Sequence, residues 1–327
     1  MKKLAKVMTL SLLALLATGT LAGCSKDSGD VVQIGISQFV EHAALDAARE
    51  GFIDALKEAG YEDGKNIEID FQNAQADMAT AQSIAQNFVT KDKDLILAIA
   101  TPSAQAAYNA TKDIPIVITA VTDPVKAGIA KSLTASGTNV TGTSDATPME
   151  KQFELLKELV PTAKKIGMPY TTSEANSEVQ VAQAKALASK FGFEIVTTGI
   201  TNVNEIPQAL TSLINNKVDA IYVPTDNTLV SATPVVAAKC LEAKIPFIGS
   251  EKGQVEGGAL ATEGIDYYNL GYQTGKIAVE ILKGKKPSEL PITTLKDTEL
   301  VINTVTAGKL GITIPDALKK AATLITK

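Results

Sequence analysis

Residues 95–120 read LILAIATPSAQAAYNATKDIPIVITA. Leu95–Ala100 is a continuous apolar run, Ser103–Lys112 has helical periodicity, and Pro115–Ala120 is a second apolar run. Strands apolar on both faces are covered on both sides, and a helix between them supplies the crossover that parallel pairing requires. This one unit predicts a parallel sheet with helices packed on it.

The same rhythm extends both ways. Upstream, Val31–Ser37 reads as a strand and His42–Ala59 as a helix with Leu45, Ala48, Phe52, Ala55 and Leu56 on one face. Asn66–Phe71 is a strand and Met78–Val89 a helix. Downstream the pattern restarts with helix Met149–Leu159, strand Lys164–Pro169, helix Glu174–Lys190, strand Phe193–Thr198, helix Glu205–Asn215, strand Val218–Val223, helix Asn227–Ala243 and strand Pro246–Gly249. A further strand at Gly258–Thr262, helix Tyr268–Lys283 and strand Leu300–Asn303 complete the chain. The 327 residues suit two α/β lobes of similar size, each with a parallel sheet, better than one core.

The N-terminus does not belong to either lobe. Lys2, Lys3 and Lys6 precede the apolar run Leu10–Ala17, which is too short to span a bilayer, and Leu21-Ala22-Gly23-Cys24 follows. This is the pattern of a lipoprotein leader over residues 1–23, with Cys24 as the lipid-anchor site and residues 24–30 as a tether. Cys240 is then left without a partner for a disulfide and, within an apolar pattern, reads as a buried thiol.

Composition narrows the function. The 36 acidic side chains outnumber the 31 Lys and Arg, a net charge of −5, whereas a nucleic-acid surface needs a basic face. His42 is the only histidine, so no triad or zinc site can draw on a second imidazole. Gly271-Tyr272-Gln273-Thr274-Gly275-Lys276-Ile277 is one residue short of a phosphate loop, lacks its Ser or Thr, and lies within a helical pattern, so it reads as helix packing. With no nucleophile–base pair, no cofactor motif and no metal-ligand set, the chain reads as a binder rather than an enzyme.

In open parallel sheets a ligand sits beyond the carboxyl ends of the strands. Six segments lie there: Ser37 to Phe39, Thr101 to Ser103, Ala120 to Asp123, Tyr170 to Asn176, Pro224 to Asn227, and Ser250-Glu251. Ser103 and the helix start behind Thr101 suit a carboxylate; Ala120 and Thr122 add backbone groups and a hydroxyl; Asp123, Asp226, Glu251 and Asp266 suit an ammonium; Phe39 and Tyr170 could wall an apolar side chain. Each has a plainer alternative: Ser103 and Asp226 as helix caps, Asp123 before Pro124 as turn chemistry, Phe39 and Tyr170 as core, Gln38 as exposed loop.

Ile34 to His42, Ala100 to Gln105, Thr119 to Pro124, Asn139 to Asp145, Ser173 to Ser177, Pro224 to Thr228 and Gly264 to Tyr268 together resemble the ABC-transporter substrate-binding lipoproteins of the tryptophan/tyrosine-type family. The resemblance implies a type I periplasmic-binding-protein fold: two lobes joined by three crossing strands, one lobe from residues 31–145 plus 266–295 and the other from 146–265 plus 296–327. It also implies an aromatic amino acid as ligand, an ABC permease and its ATPase as partners, and an extracytoplasmic, membrane-anchored monomer. A more distant likeness to branched-chain amino-acid receptors places Ser103, Ala120, Thr122 and Glu251 on the ligand's carboxylate and ammonium. Gln38, Ser173, Asn176, Asp226 and Asp266 fall where sugar-binding relatives touch ligand, and Ala175 and Asn227 stand beside them. Gly167-Met168-Pro169-Tyr170-Thr171-Thr172 departs from the family pattern at Pro169, which bears on side-chain specificity. A receptor for a nucleoside, sugar or other metabolite, and a ligand sensor for a signalling partner, are the competing readings.

Overall fold

The computed structural model describes residues 31–326. Cys24 and its leader lie outside the described residues. The first sheet collects β1 (Val32–Gln38), β2 (Ile67–Asn73), β3 (Leu95–Ile99), β4 (Ile116–Thr119) and β5 (Val140–Ser144), joined by helices α1 (Ala43–Glu58), α2 (Met78–Thr90) and α3 (Thr101–Ala110). The second sheet follows: α4 (Met149–Leu159), β6 (Lys165–Thr171), α5 (Ala175–Phe191), β7 (Glu194–Ile200), α6 (Ile206–Asn215), β8 (Ala220–Tyr222), α7 (Asn227–Ser231), α8 (Thr233–Glu242), β9 (Phe247–Ile248), α9 (Lys252–Glu256) and β10 (Ala261–Gly264). The chain then returns with α10 (Tyr267–Leu282) and β11 (Ile292–Thr294), and crosses again to β12 (Glu299–Asn303), α11 (Thr304–Leu310), α12 (Asp316–Ala321) and β13 (Thr323–Ile325).

The sheet orders are β11-β5-β4-β3-β1-β2 and β13-β12-β10-β9-β8-β6-β7. Pairing is parallel throughout except between β10 and β12. Every residue of β3, β4 and β5 is buried, the pattern of strands covered on both faces. The parallel sheet expected from residues 95–120 is thus present, and a second sheet follows where the strand–helix rhythm restarts. The helix expected over 227–243 is two helices, because Pro234 stands in the first turn of α8 and removes the N–H that would continue α7.

The chain passes between sheets three times, at 145–148, at 265–266 and at 295–298. The second return is locked by close helix packing. A Cβ on Gly271 would lie 1.8 Å from the Ala48 carbonyl oxygen, and one on Gly51 would lie 2.1 Å from that of Tyr268. A Cβ on Gly275 would lie 2.6 Å from the Phe52 carbonyl oxygen, so the glycine pair 271 and 275 that imitates a phosphate loop serves to bring α10 onto α1. Among the described residues no helix is long and apolar enough to cross a membrane.

Candidate functional site

The carboxyl ends of both sheets face one gap. His42, Leu45 and Ala120 line it from the first lobe, and Thr225, Asn227, Val230 and Glu251 from the second. Asp145 reaches it from the first crossing and Tyr267 from the start of α10, just after the second. The cavity between them measures about 10 Å³, room for roughly one water. The lobes touch directly: the Thr122 and Thr225 hydroxyls are 3.3 Å apart, and His42 and Asn227 line the same gap from opposite lobes. A ligand larger than water enters only when the lobes part.

Strain marks the first-lobe wall. Ala100 (φ 78°) and Ala120 (φ 56°), at the ends of β3 and β4, both take the left-handed region that a Cβ disfavours. Such strain persists only where surrounding structure enforces it, and Ala120 is one of the residues that line the gap.

The second-lobe wall is braced by two buried carboxylates. Glu174 accepts from Asn176 Nδ2 (3.0 Å), Asn227 N (3.0 Å) and Nδ2 (2.5 Å), and Thr228 N (3.0 Å) and Oγ1 (2.9 Å). Asp226 accepts from Thr171 N (2.6 Å) and Oγ1 (2.8 Å), Ser177 Oγ (2.7 Å) and Leu229 N (2.9 Å). These bonds tie the starts of α5 and α7 to the end of β6 and aim Asn227 at the gap. Burial is the larger cause, and the mutual charge an added one, of a Glu174 pKa above the usual carboxylate range. Burial raises Asp226 as well.

Glu251 is 2% exposed and caps α9, accepting from Gly253 N (2.5 Å) and Gln254 N (2.7 Å), while Gln254 Oε1 accepts from Glu251 N (3.3 Å) and Ser250 N (2.6 Å). Burial pushes its carboxyl up to about 7. His42 sits at the N-cap of α1 with Nδ1 sealed and unpartnered, and burial lowers its pKa to about 4, so the ring is neutral near pH 7.

The structure brings Ala120, Asn227 and Glu251 to the gap and sets Thr122 at the contact between lobes. Ser103 and Thr101 are buried at the start of α3, Ser103 Oγ receiving a 3.3 Å bond from Ser37 Oγ and Thr101 Oγ1 having no partner. Other candidates are committed elsewhere. Gln38 donates to Val40 O and Asp46 Oδ1 and accepts from Arg49 Nη1, all within its own lobe. Phe39, 2% exposed, belongs to the first-lobe core, and Tyr170 packs against the second-lobe core beside Gly199. Asp123 accepts from the N–H groups of Val125 and Lys126 and forms a turn. Asp266 is an exposed cap of α10, Asp226 is the buried cap of α7, Ser173 is exposed, and Ala175 is half-buried. Asn176 Nδ2 is held by Glu174 and by Thr225 O (2.9 Å). Asp145 and Tyr267 are polar gap residues outside the strand-end segments; Asp145 stands on the first crossing and Tyr267 opens α10 just after the second.

A family model described as "ABC transporter substrate binding protein" matches residues 33–325. This chain belongs to the ABC transporter substrate-binding protein family. It is 52% identical over 325 residues to a "Tyrosine-binding protein" of Clostridioides difficile, covering 95% of this chain and 94% of that one. Among solved structures, this substrate-binding protein superposes with TM-score 0.87 on a Streptococcus protein in complex with L-Trp, 41% identical and covering 90% of this chain and 99% of that one. Against the ligand-free, open form of a Clostridium difficile substrate-binding protein with adhesive properties the score is 0.69, although identity is 53% at the same coverages. The more similar sequence superposes less well, as a difference in lobe disposition produces, and the narrow gap here agrees with that.

Proposed function

We propose that this substrate-binding protein captures an aromatic amino acid, of the tyrosine or tryptophan class, between its lobes and presents it to an ABC permease and its ATPase. ABC substrate-binding proteins are extracytoplasmic, and in this reading Cys24 holds the protein, as a monomer, to the membrane by a lipid. The observation that carries the reading is one buried gap whose polar groups come from both lobes and from the crossings, so that a bridging ligand favours closure by its differential contacts. Ala120, Asn227 and Glu251 are among the residues lining it, and the relatives named for tyrosine or solved with tryptophan support the ligand class.

Thermal melts of the purified protein against the twenty amino acids test this. At a free ligand concentration about 100 times Kd, binding adds about 2.7 kcal/mol of stability. Tyrosine or tryptophan should raise Tm most; a panel with no shift for either refutes the reading.

A further inference from the structure

Asp145 differs from every other buried acid in the described chain. It follows β5, stands on the first crossing, and is 3% exposed. One carboxylate oxygen, Oδ2, accepts the Tyr267 hydroxyl at 2.7 Å. The other, Oδ1, is sealed from solvent and has no hydrogen-bond partner. Burial raises the Asp145 pKa above the usual carboxylate range, and the nearby Tyr267 and Thr122 hydroxyls and its own backbone N–H offset this only in part. No ion pair among the described residues includes Asp145.

The contrast with its neighbours is chemical. Glu174 and Asp226 have donors on both oxygens, and Glu251 spends both of its own on the N–H groups of α9. Those carboxylates are complete without a ligand. Asp145 is complete only when a donor arrives from the gap it lines, and in a dry site a cation satisfies an anion far better than a neutral hydroxyl does. The titratable groups facing it supply no such cation: His42 is neutral near pH 7, and Glu251 and Tyr267 are acids.

The structure assigns Asp145 Oδ1 as the acceptor for the ligand's ammonium group, with Tyr267 fixing the carboxylate from its other side. The ligand class is therefore one that carries a primary ammonium, which separates amino acids from sugars and nucleosides. This rests on the reading of the gap as the ligand site, and it moves the ammonium contact from Glu251 to Asp145.

Calorimetry with L-tyrosine and its des-amino analogue, hydroxyphenylpropionate, provides the test, alongside melts of the ligand-free proteins near neutral pH. The wild type should prefer tyrosine by roughly 100-fold, the scale of leaving a buried charge unpaired. Asp145→Asn should cut that preference to roughly tenfold or less. Without ligand, Asp145→Asn should melt higher than wild type, because an uncompensated buried charge is gone. An Asp145→Asn protein that retains the preference, or that melts lower than wild type, overturns the assignment. A wild type that binds neither compound refutes the aromatic-amino-acid reading instead, and the ligand-free melts alone then decide the role of Asp145.

Discussion

Replacing Glu174 by Gln sets the donors around this side chain against its burial. A glutamine can turn its carbonyl toward the three donors now shared by Oε2, from Asn176 and Asn227. Its NH₂ then meets the two donors at Oε1. The Thr228 hydroxyl can rotate and accept, but the Thr228 N–H loses its partner, which costs about 1–3 kcal/mol. At about 2–4 °C per kcal/mol for a unit of this size, the second lobe should melt roughly 2–12 °C lower. The pH dependence separates the causes. Burial and Asp226 raise the Glu174 pKa in the folded protein, so between the ordinary carboxylate pKa and the raised one the folded state holds a proton that the unfolded chain releases. The stability of the wild type contributed by this group is therefore full below the unfolded pKa and falls as pH rises through the folded value. Glutamine has no such slope. The deficit of Glu174→Gln should shrink between about pH 5 and about pH 8 in melts followed by circular dichroism. A deficit that widens with pH would mean that the five donors prefer the anion more strongly than burial opposes it, and the reasoning would fail. Since Glu174 also holds Asn227, tyrosine affinity should fall with stability.

Gly271→Ala should destabilise the first lobe by about 3 kcal/mol in urea unfolding, since its Cβ would meet backbone and not a side chain that can move; a change of a few tenths would contradict the packing. Burial pushes the Cys240 thiol up to about 12, so a thiol reagent should modify it only in denaturant; rapid labelling of the native protein would show the site open. Thr225→Val keeps shape but removes the interlobe hydroxyl contact and the acceptor for Gln180 Nε2, so small-angle scattering should show a larger radius of gyration without ligand; an unchanged radius would mean the contact does not hold the lobes together.

The fold was legible where burial is complete. Leu95–Ile99 and Ile116–Thr119 are apolar without interruption because helices cover both faces, and that run of letters survives any uncertainty in their ends. Elements that lack a periodic signal were not legible. α9 has five residues, too few for a helical pattern, although Glu251 and Gln254 form the cap that announces it. β13 is short and largely exposed, so nothing in its composition marks a strand. At the site, the rule that ligands sit beyond strand ends selects the right face of each sheet but not the side chains that are free there. Gln38 satisfies it and is consumed by Asp46 and Arg49, a pairing visible only when α1 is folded back. Asp145 and Tyr267 meet from positions 145 and 267, and no local pattern connects residues that far apart.

Neither lobe is a continuous piece of polypeptide. Gly271 seats against Ala48, and Ile292 pairs with Gly142 at the edge of the first sheet. The first half of the chain, emerging alone, leaves the face of α1 without its cover and the edge of β5 without its neighbour. Contacts of such long sequence separation form slowly, because loop closure must precede them. Completion of the first lobe therefore waits for α10 and β11, which end at Thr294.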